Sequence, residues 1–276
     1  MKIFKIDLDM KPDEFELIPL FDIHFGTVFH DENLFNRVIK YIQENENAYW
    51  FCGGDLCEFI NAEDKRFEYS TLEKSFQKNL DRLLTYSIEY ATAKLEPIAD
   101  KCLFMISGNH DIKYRGKFGF DPISSVCKNL GIENYTESYE ALVKILFRHG
   151  RTTAFDMYVH HGHGHATVRV GSLLNRLEDT MTNFDADIYI FGHSHQLIFT
   201  YKNFLKLNNN GTNLIKKQKL LLRVGGFRFS RKEGVMGYEE RLGMRPNATG
   251  TYIIKTQLKK QNSKIYTLKF IVKPFI

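Results

Sequence analysis

Histidines are concentrated in one short stretch of the chain, where four of the ten lie in the sequence YVHHGHGH at 158–165. The apolar residues from Phe155 to Val159 predict a buried strand, and the glycines that follow predict a loop at its end. Imidazoles crowded at a strand end are typical of a metal or phosphate site. The stretch therefore raises the question of whether the rest of the chain supplies matching ligands.

Matching side chains do follow other predicted strands, each time at a turn that contains Asp, Asn or His. A rigid sheet brings strand-end loops from distant parts of the chain together, so we expect these side chains to share one site. The collected residues are Asp22, His24, Asp55, Asn109, His110, His161, His193 and His195.

Carboxylate, amide and imidazole groups without thiolates suit divalent Mn, Fe, Zn, Co or Ni rather than a sulfur-ligated site. These ligands are too many for one ion that keeps an open position, so the set predicts two ions that share a carboxylate. Two ions about 3.5–4 Å apart can activate a water between them and hold both oxygens of a phosphoryl displacement. The predicted chemistry is therefore phosphoryl transfer to water.

In this order, the motifs resemble the calcineurin-like metallophosphoesterase family. The family pattern DxH, GD, GNH(D/E), H and GHxH appears as Asp22-Ile23-His24, Gly54-Asp55, Gly108-Asn109-His110-Asp111, His161 and Gly192-His193-Ser194-His195. A later pattern of Tyr, Pro and Gly, between 237 and 250, resembles stand-alone family members from bacteria and their phages. The resemblance implies an α/β fold, a four-layer α/β/β/α sandwich of two mixed β-sheets flanked by helices.

The resemblance also implies a role for each site residue, beginning with the ligands of two divalent ions. The implied ligands are Asp22, His24 and His195 for one ion, Asn109, His161 and His193 for the other, and Asp55 as the bridge. Mn²⁺ is the expected metal, with Fe, Zn, Ni or Co as alternatives. His110 would protonate the leaving oxygen or neutralise charge in the transition state. Asp111 would orient His110, or alternatively cap the loop.

Within the histidine-rich stretch, His161 is the expected ligand because the family's histidine ends a strand and precedes a glycine. Strand alternation agrees, since only one of His160 and His161 can face the ions. His163 is a candidate contact to the substrate phosphate, whereas His160 and His165 are interpreted as ordinary polar loop residues.

Arg115 follows the Asn109–Asp111 loop closely and is a second candidate for binding substrate phosphate, by a bidentate contact. The alternative for Arg115 is a solvated surface charge. His30 and His149 are expected to be surface residues.

Hydrophobic periodicity predicts the elements that position these loops. Strands are predicted at 15–26, 49–52, 102–106, 139–147, 152–159, 188–191, 197–207, 219–229, 251–258 and 265–272, and helices at 31–46, 71–96, 122–130 and 171–184. Because nothing resembling a linker separates two halves, we predict a single domain over 1–276.

The net charge of +5 is unevenly distributed, since residues 201–276 contain 17 Lys and Arg but only 3 Asp and Glu. This basic, strand-rich C-terminal part favours a polyanionic partner such as DNA or RNA, with a solvated surface as the alternative. The candidate phosphate-backbone contacts are Arg223, Arg228, Arg231, Lys232 and Arg241.

Other features predict a cytoplasmic protein without a membrane span. The chain has no run of eighteen apolar residues, and acidic residues interrupt the N-terminal stretch where a signal peptide needs an apolar core. The four cysteines show no CxxC spacing and are interpreted as reduced, buried thiols.

The leading interpretation is a two-metal phosphoesterase that cleaves phosphodiesters, with nucleic acid as the substrate. One alternative is a phosphomonoesterase or a small-molecule (nucleotide) phosphodiesterase. A catalytically silent metal-binding scaffold is disfavoured, because every ligand of the family pattern and the histidine of the GNH motif are present.

Overall fold

The computed structural model describes residues 1–8, 14–59, 67–149, 151–163, 169–208, 210–260 and 266–276. Within these residues the strands form two mixed six-stranded sheets. In spatial order, the first sheet contains β1 (Lys2–Leu8), β6 (Glu140–His149), β7 (Arg151–His160), β8 (Ile188–Phe191), β10 (Leu214–Arg223) and β9 (Ile198–Leu207). The second contains β12 (Tyr266–Phe275), β11 (Thr251–Lys260), β2 (Glu14–Leu20), β3 (Ala48–Cys52), β4 (Cys102–Ile106) and β5 (Tyr135–Thr136).

The two sheets pack against each other through a core rich in phenylalanine. Phe51 of β3 stacks on Phe104 of β4 with ring centroids 4.8 Å apart, and Phe104 in turn stacks on Phe4 of β1 at 5.4 Å. Trp50 and Cys52, the neighbours of Phe51, belong instead to a second core on the other face of the sheet. This alternation along one strand shows that both faces of the sheet are buried.

Helices cover the outer face of each sheet. The helices are α1 (Glu32–Glu44), α2 (Lys74–Gln77), α3 (Leu83–Leu95), α4 (Asn109–Phe118), α5 (Pro122–Leu130), α6 (Val170–Met181) and α7 (Tyr238–Arg241). Apolar residues of α1, α3 and α5 pack on the second sheet, and Leu177 of α6 packs on the first. The expected four-layer α/β/β/α sandwich is confirmed.

The prediction of one long helix over 71–96 is wrong. Its first part consists of α2 and the short 3₁₀ turns Tyr69–Thr71 and Leu80–Arg82, and a regular helix begins only at Leu83. The carbonyl of Thr71 accepts a hydrogen bond from Val28 N at 2.8 Å. In a continuous helix this carbonyl would instead accept a hydrogen bond from within the helix. Strand β1 and helix α4 are elements that the periodicity did not predict.

His30 is a buried residue, not the surface residue that the sequence suggested. It is 7% exposed, and its Nδ1 lies 2.8 Å from the carbonyl oxygen of Ile23. The side chain of His149, also expected at the surface, lies outside the described part of the structure, as does the whole of His165.

The cysteines are free thiols, and Cys52, Cys57 and Cys127 are buried. Among the helices of the described residues, we find none with the length and apolar character needed to cross a membrane.

Candidate metal centre

All eight candidate residues lie just beyond the carboxyl ends of strands, where the two sheets meet. The loop after β2 carries Asp22 and His24, the loop after β3 carries Asp55, and α4 begins with Asn109 and His110 immediately after β4. The remaining three follow strands of the other sheet, His161 after β7, and His193 and His195 after β8. The site therefore depends on the packing of both sheets.

One group of ligand atoms comes from Asp22, His24 and His195, which approach one another within 4.8 Å. His195 Nε2 lies 3.5 Å from Asp22 Oδ1. Asp22 Oδ1 and His24 Nε2 are buried without a hydrogen-bond partner among the described residues. Buried acceptors left in this way are costly unless something positive lies between them.

A second group comes from Asp55, His161 and His193, again within 4.8 Å. Asp55 Oδ2 lies 3.3 Å from His161 Nε2 and 3.8 Å from His24 Nε2 of the first group. Its other oxygen, Oδ1, accepts a hydrogen bond from the backbone N–H of His110 at 2.9 Å. One carboxylate oxygen of Asp55 thus faces both groups.

The carboxamide of Asn109 points into the second group. Its oxygen lies 3.0 Å from His161 Nε2. The same position is 2.7 Å from His193 Nδ1 and 3.2 Å from Asp55 Oδ2, so it faces acceptor atoms. An amide oxygen in this position suits a cation held among these atoms, whereas the swapped orientation of the amide would donate its N–H groups to the same atoms. The donor set therefore fits a divalent ion.

The backbone of the site adopts a conformation that non-glycine residues avoid. Asp22, His24, Asp55, His193 and His195 all have positive φ angles, between 49° and 64°. For such residues the left-handed region is uncommon, and it concentrates where geometry is held for function. Five of the eight candidate residues share this strained conformation.

Close packing around Asp55 requires glycine at a neighbouring position. A Cβ atom on Gly108 would lie 2.1 Å from Asp55 Oδ1 and 2.4 Å from its backbone nitrogen. The glycine of the GNH motif thus lets the loop after β4 lie directly on Asp55.

Burial and crowding shift the pKa values of these groups in opposite directions. Burial lowers the pKa of His24 to about 4, and burial together with the neighbouring His161 lowers that of His193 to about 4. For His161, the Asp55 carboxylate outweighs burial and raises the pKa to about 10. In return the adjacent imidazoles, His161 first, hold the pKa of Asp55 well below its usual range although burial opposes them. Asp55 is therefore ionised in the folded protein.

A hydrogen bond from its other ring nitrogen orients the imidazole of His161. His161 Nδ1 lies 2.9 Å from the carbonyl of Gly53, which leaves its Nε2 directed to the site. His160, the preceding residue, faces the other side of the strand, where its ring stacks on Phe191. The two rings thus lie on opposite faces of the strand.

Asp111 does not orient His110, contrary to the first interpretation. Its Oδ2 accepts hydrogen bonds from the backbone nitrogens of Asp55 and Gly108, at 2.8 and 2.7 Å, and its Oδ1 has no hydrogen-bond partner among the described residues. The described contact of His110 Nδ1 is with the carbonyl of Glu58, at 2.5 Å. Asp111 caps the loop, as the alternative held, because the start of α4 leaves N–H groups that need an acceptor.

Neither candidate for substrate binding lies at the site. Arg115 forms an ion pair with Glu137 at 2.7 Å on the surface, with about half of each side chain exposed. His163 is exposed, and its ring lies near His160 with centroids 5.7 Å apart. Neither residue lines the cavity over the metal groups.

The structure removes two arginines from the basic track predicted for nucleic acid. Arg223 is 1% exposed and donates to the carbonyls of Leu173 and Gly192 and to Ser194 Oγ. Arg228 is 6% exposed and is paired with carboxylates. The sequence could not distinguish these two buried cations from surface ones, because local charge carries no information about burial.

A cavity of about 450 Å³ opens over the metal groups and contains residues that the motifs did not indicate. Besides His24, Asp55, His110 and other motif residues, its lining includes Glu58, Phe67, Tyr238, Glu239, Met244 and Arg245. Glu58 lies three positions after Asp55, but no pattern in the sequence distinguishes it from a surface glutamate.

Comparisons with known proteins agree with this arrangement. A model of the family described as "Calcineurin-like phosphoesterase" matches residues 22–197, a range that includes every motif. A comparison with the sequences of curated proteins found no match.

Among solved structures, the chain is similar to Vps29 from Chaetomium thermophilum, with a TM-score of 0.41, 11% identity, and coverage of 94% of this chain and 96% of that one. NAD nucleotidase (NadN) from Haemophilus influenzae also has a TM-score of 0.41, with 10% identity over 94% of this chain and 50% of that chain. A metallophosphoesterase from Sphaerobacter thermophilus has a TM-score of 0.36, with 11% identity over 93% and 88% of the two chains.

Proposed function

Because this chain belongs to the calcineurin-like phosphoesterase family, we propose that it is a phosphoric ester hydrolase that works with two divalent metal ions. One observation carries the proposal. Two groups of ligand atoms, each from two buried residues and one partly exposed histidine, converge at the strand ends, and Asp55 Oδ2 faces both groups at 3.3 and 3.8 Å. That arrangement suits two ions sharing one carboxylate.

In this proposal each group of side chains holds one ion. The ligands would be Asp22, His24 and His195 for the first ion, Asn109, His161 and His193 for the second, and Asp55 for both. Nitrogen and oxygen donors without sulfur suit Mn²⁺, our first choice, and also Fe, Zn, Ni or Co. The four free thiols fit a reducing compartment, and we propose the cytoplasm.

Two bound cations supply Lewis-acid activation of water and of the phosphoryl oxygens. The protein supplies the geometry and the proton. With its Nδ1 against the Glu58 carbonyl, the His110 ring is held at the cavity, and Nε2 is the atom that would give a proton to the leaving oxygen. Asp55, through Oδ1, fixes the backbone N–H of His110, so the acid and the bridging ligand are positioned together.

The cavity favours a small phosphate ester as the substrate. Its volume of about 450 Å³ is within the range of small-molecule sites. A nucleic-acid strand would instead need an extended accessible basic track, and the burial and pairing of Arg223 and Arg228 remove two of its five candidate residues. We therefore propose the small-molecule alternative over the nuclease.

A screen of metals against substrates tests the function. The metal-free protein is loaded with Mn²⁺, Fe²⁺, Zn²⁺, Ni²⁺ or Co²⁺ and assayed on an aryl phosphate and on the corresponding diester. Two variants separate the roles of ligand and acid. Asp55→Asn should lower the bound metal below two ions per chain, whereas His110→Asn should keep both ions and lose about 10²–10⁴-fold in kcat.

Three outcomes would reject parts of the proposal. Loss of metal from His110→Asn would show that His110 is a ligand, not the acid. A wild-type protein that binds two ions and hydrolyses neither ester with any metal would point to a scaffold. Faster cleavage of single-stranded DNA than of the small esters would favour the nuclease function over the small-molecule one.

A further inference from the structure

One side of the cavity is built by a segment that we call the C-terminal wall, residues 228–247. It lies beyond residues 22–197, the part that matches the family model. Its contribution to the cavity lining includes Arg228, Tyr238, Arg241, Met244, Arg245 and Asn247. The wall therefore lies outside the range matched by the family model, beside the candidate catalytic residues.

The wall is held in one conformation by its own hydrogen bonds. The Asn247 carboxamide accepts from Ser230 N at 2.8 Å and donates to the carbonyl of Arg228 at 2.6 Å. Arg231 donates to the carbonyl of Met244, also at 2.6 Å. These contacts join the two ends of the segment, so the wall is organised before a ligand arrives.

Arg228 anchors the wall to the metal side of the cavity. Its Nε lies 3.5 Å from Glu58 Oε2, and its Nη1 contacts Glu239. Glu58 Oε2 lies 2.9 Å from His24 Nδ1, so the same carboxylate touches the metal group. Because its charge is matched by two carboxylates that are only 12% and 16% exposed, Arg228 serves as a structural link, and substrate recognition falls to other residues of the wall.

Two guanidinium groups of the wall remain accessible. Arg241 is 40% exposed and lies 3.8 Å from Glu68, a long and solvated ion pair. Arg245 is exposed and also lines the cavity. An exposed pair at this distance is weak, so Arg241 can exchange Glu68 for an anion of the substrate with little loss. Guanidinium groups bind phosphate well because their N–H groups match its oxygens.

Partly exposed apolar side chains line the same cavity as these cations and the metal groups. Phe67, Tyr238 and Met244 are half-buried and line the cavity. Aromatic rings and a thioether offer a flat, polarisable surface that suits a planar ring. The cavity thus combines a phosphate site, a surface for a ring and accessible cations.

From this combination we infer that the C-terminal wall selects a small phosphate ester that carries both a planar ring and a second anionic group. This is the chemistry of a nucleotide with more than one phosphate. Tyr238 and Met244 would contact the ring, and Arg241 and Arg245 would bind the additional phosphate. The inference rests on the proposed phosphoesterase activity, since hydrolysis at the metal groups reports the binding.

The test compares three substrates of the metal-loaded protein: an aryl phosphate, a nucleoside monophosphate and a nucleotide with an additional phosphate. The double variant Arg241→Ala, Arg245→Ala should raise KM for the third substrate at least tenfold. Its kcat for that substrate, and its KM for the aryl phosphate, should stay within about twofold of wild type. Met244→Ala should raise KM for both nucleotides.

Arg82→Ala is the matched control. Arg82 is 45% exposed and pairs with Glu89 at 2.6 Å, so it resembles Arg241 in exposure and charge but does not line the cavity. It should leave all three substrates unchanged. Metal content and circular dichroism of each variant verify that the fold and the ions are retained.

The possible failures are distinguishable. If the wild type hydrolyses none of the three substrates with any metal, the proposed function fails. If it hydrolyses them but the double variant changes KM equally for all three, or for none, the selectivity of the wall is refuted while the phosphoesterase stands. A wild-type preference for the aryl phosphate over both nucleotides would also refute it.

Discussion

Replacing Arg228 by methionine should destabilise the protein far more than removing a surface arginine. The Arg228 side chain is 7% exposed, and the carboxylates that pair with it, Glu58 and Glu239, are 12% and 16% exposed. Methionine has a similar length but no charge, so the two carboxylates would stay largely shielded from solvent without the guanidinium that pairs with them. Breaking a buried ion pair in this way costs about 3–5 kcal/mol.

The measurement is urea unfolding of the chelator-treated protein, so that metal binding does not contribute. Trp50 is the single tryptophan and is fully buried, which makes its fluorescence a direct reporter of unfolding. The control is Arg82→Met, which removes an ion pair whose side chains are 45% and 51% exposed. We expect that control to lose at most about 1 kcal/mol.

A triple variant separates charge from packing. Adding Glu58→Gln and Glu239→Gln to Arg228→Met removes the unpaired charges and should restore a large part of the lost stability. The reasoning is refuted if Arg228→Met costs no more than Arg82→Met. It is also refuted if the triple variant is as unstable as the single one, because the loss would then come from packing.

Three other outcomes test different parts of the structure. Burial lowers the pKa of His30 from 6.5 to about 4, so the unfolded chain takes up this proton first as the pH falls. Relative to His30→Gln, wild type should therefore lose about 2 kcal/mol of unfolding free energy between pH 7.5 and pH 5, and parallel pH curves would contradict this. Gly108→Ala would place a Cβ atom 2.1 Å from Asp55 Oδ1, and should weaken metal binding at least tenfold in equilibrium dialysis, unlike Gly116→Ala, which meets nothing within 4 Å. Arg115→Ala should leave kcat/KM within twofold of wild type, and a tenfold loss would show that Arg115 does contact the substrate.

Much of the candidate site could be predicted from the sequence, because its chemistry depends on residue types at strand ends. Asp22, Asp55 and His161 each follow a short apolar run that ends at a turn, and such patterns are local. The sandwich fold followed from the family resemblance that these motifs carry. The helix predicted over 71–96 failed for the opposite reason, since the pairing of Thr71 with Val28 is a tertiary contact that competes with local helix formation.

The sequence by itself determined the donor atoms, their order along the chain and the phosphoester chemistry that they suit. Tertiary structure decided which charges are buried and which remain accessible. Arg228 and Arg241 are both arginines near late strands, yet Arg228 is paired with Glu58 and Glu239 while Arg241 is exposed and lines the cavity. Burying a charge costs free energy of desolvation, and this cost is offset only where distant segments bring oppositely charged partners to it. A local sequence pattern shows neither the burial nor the partners.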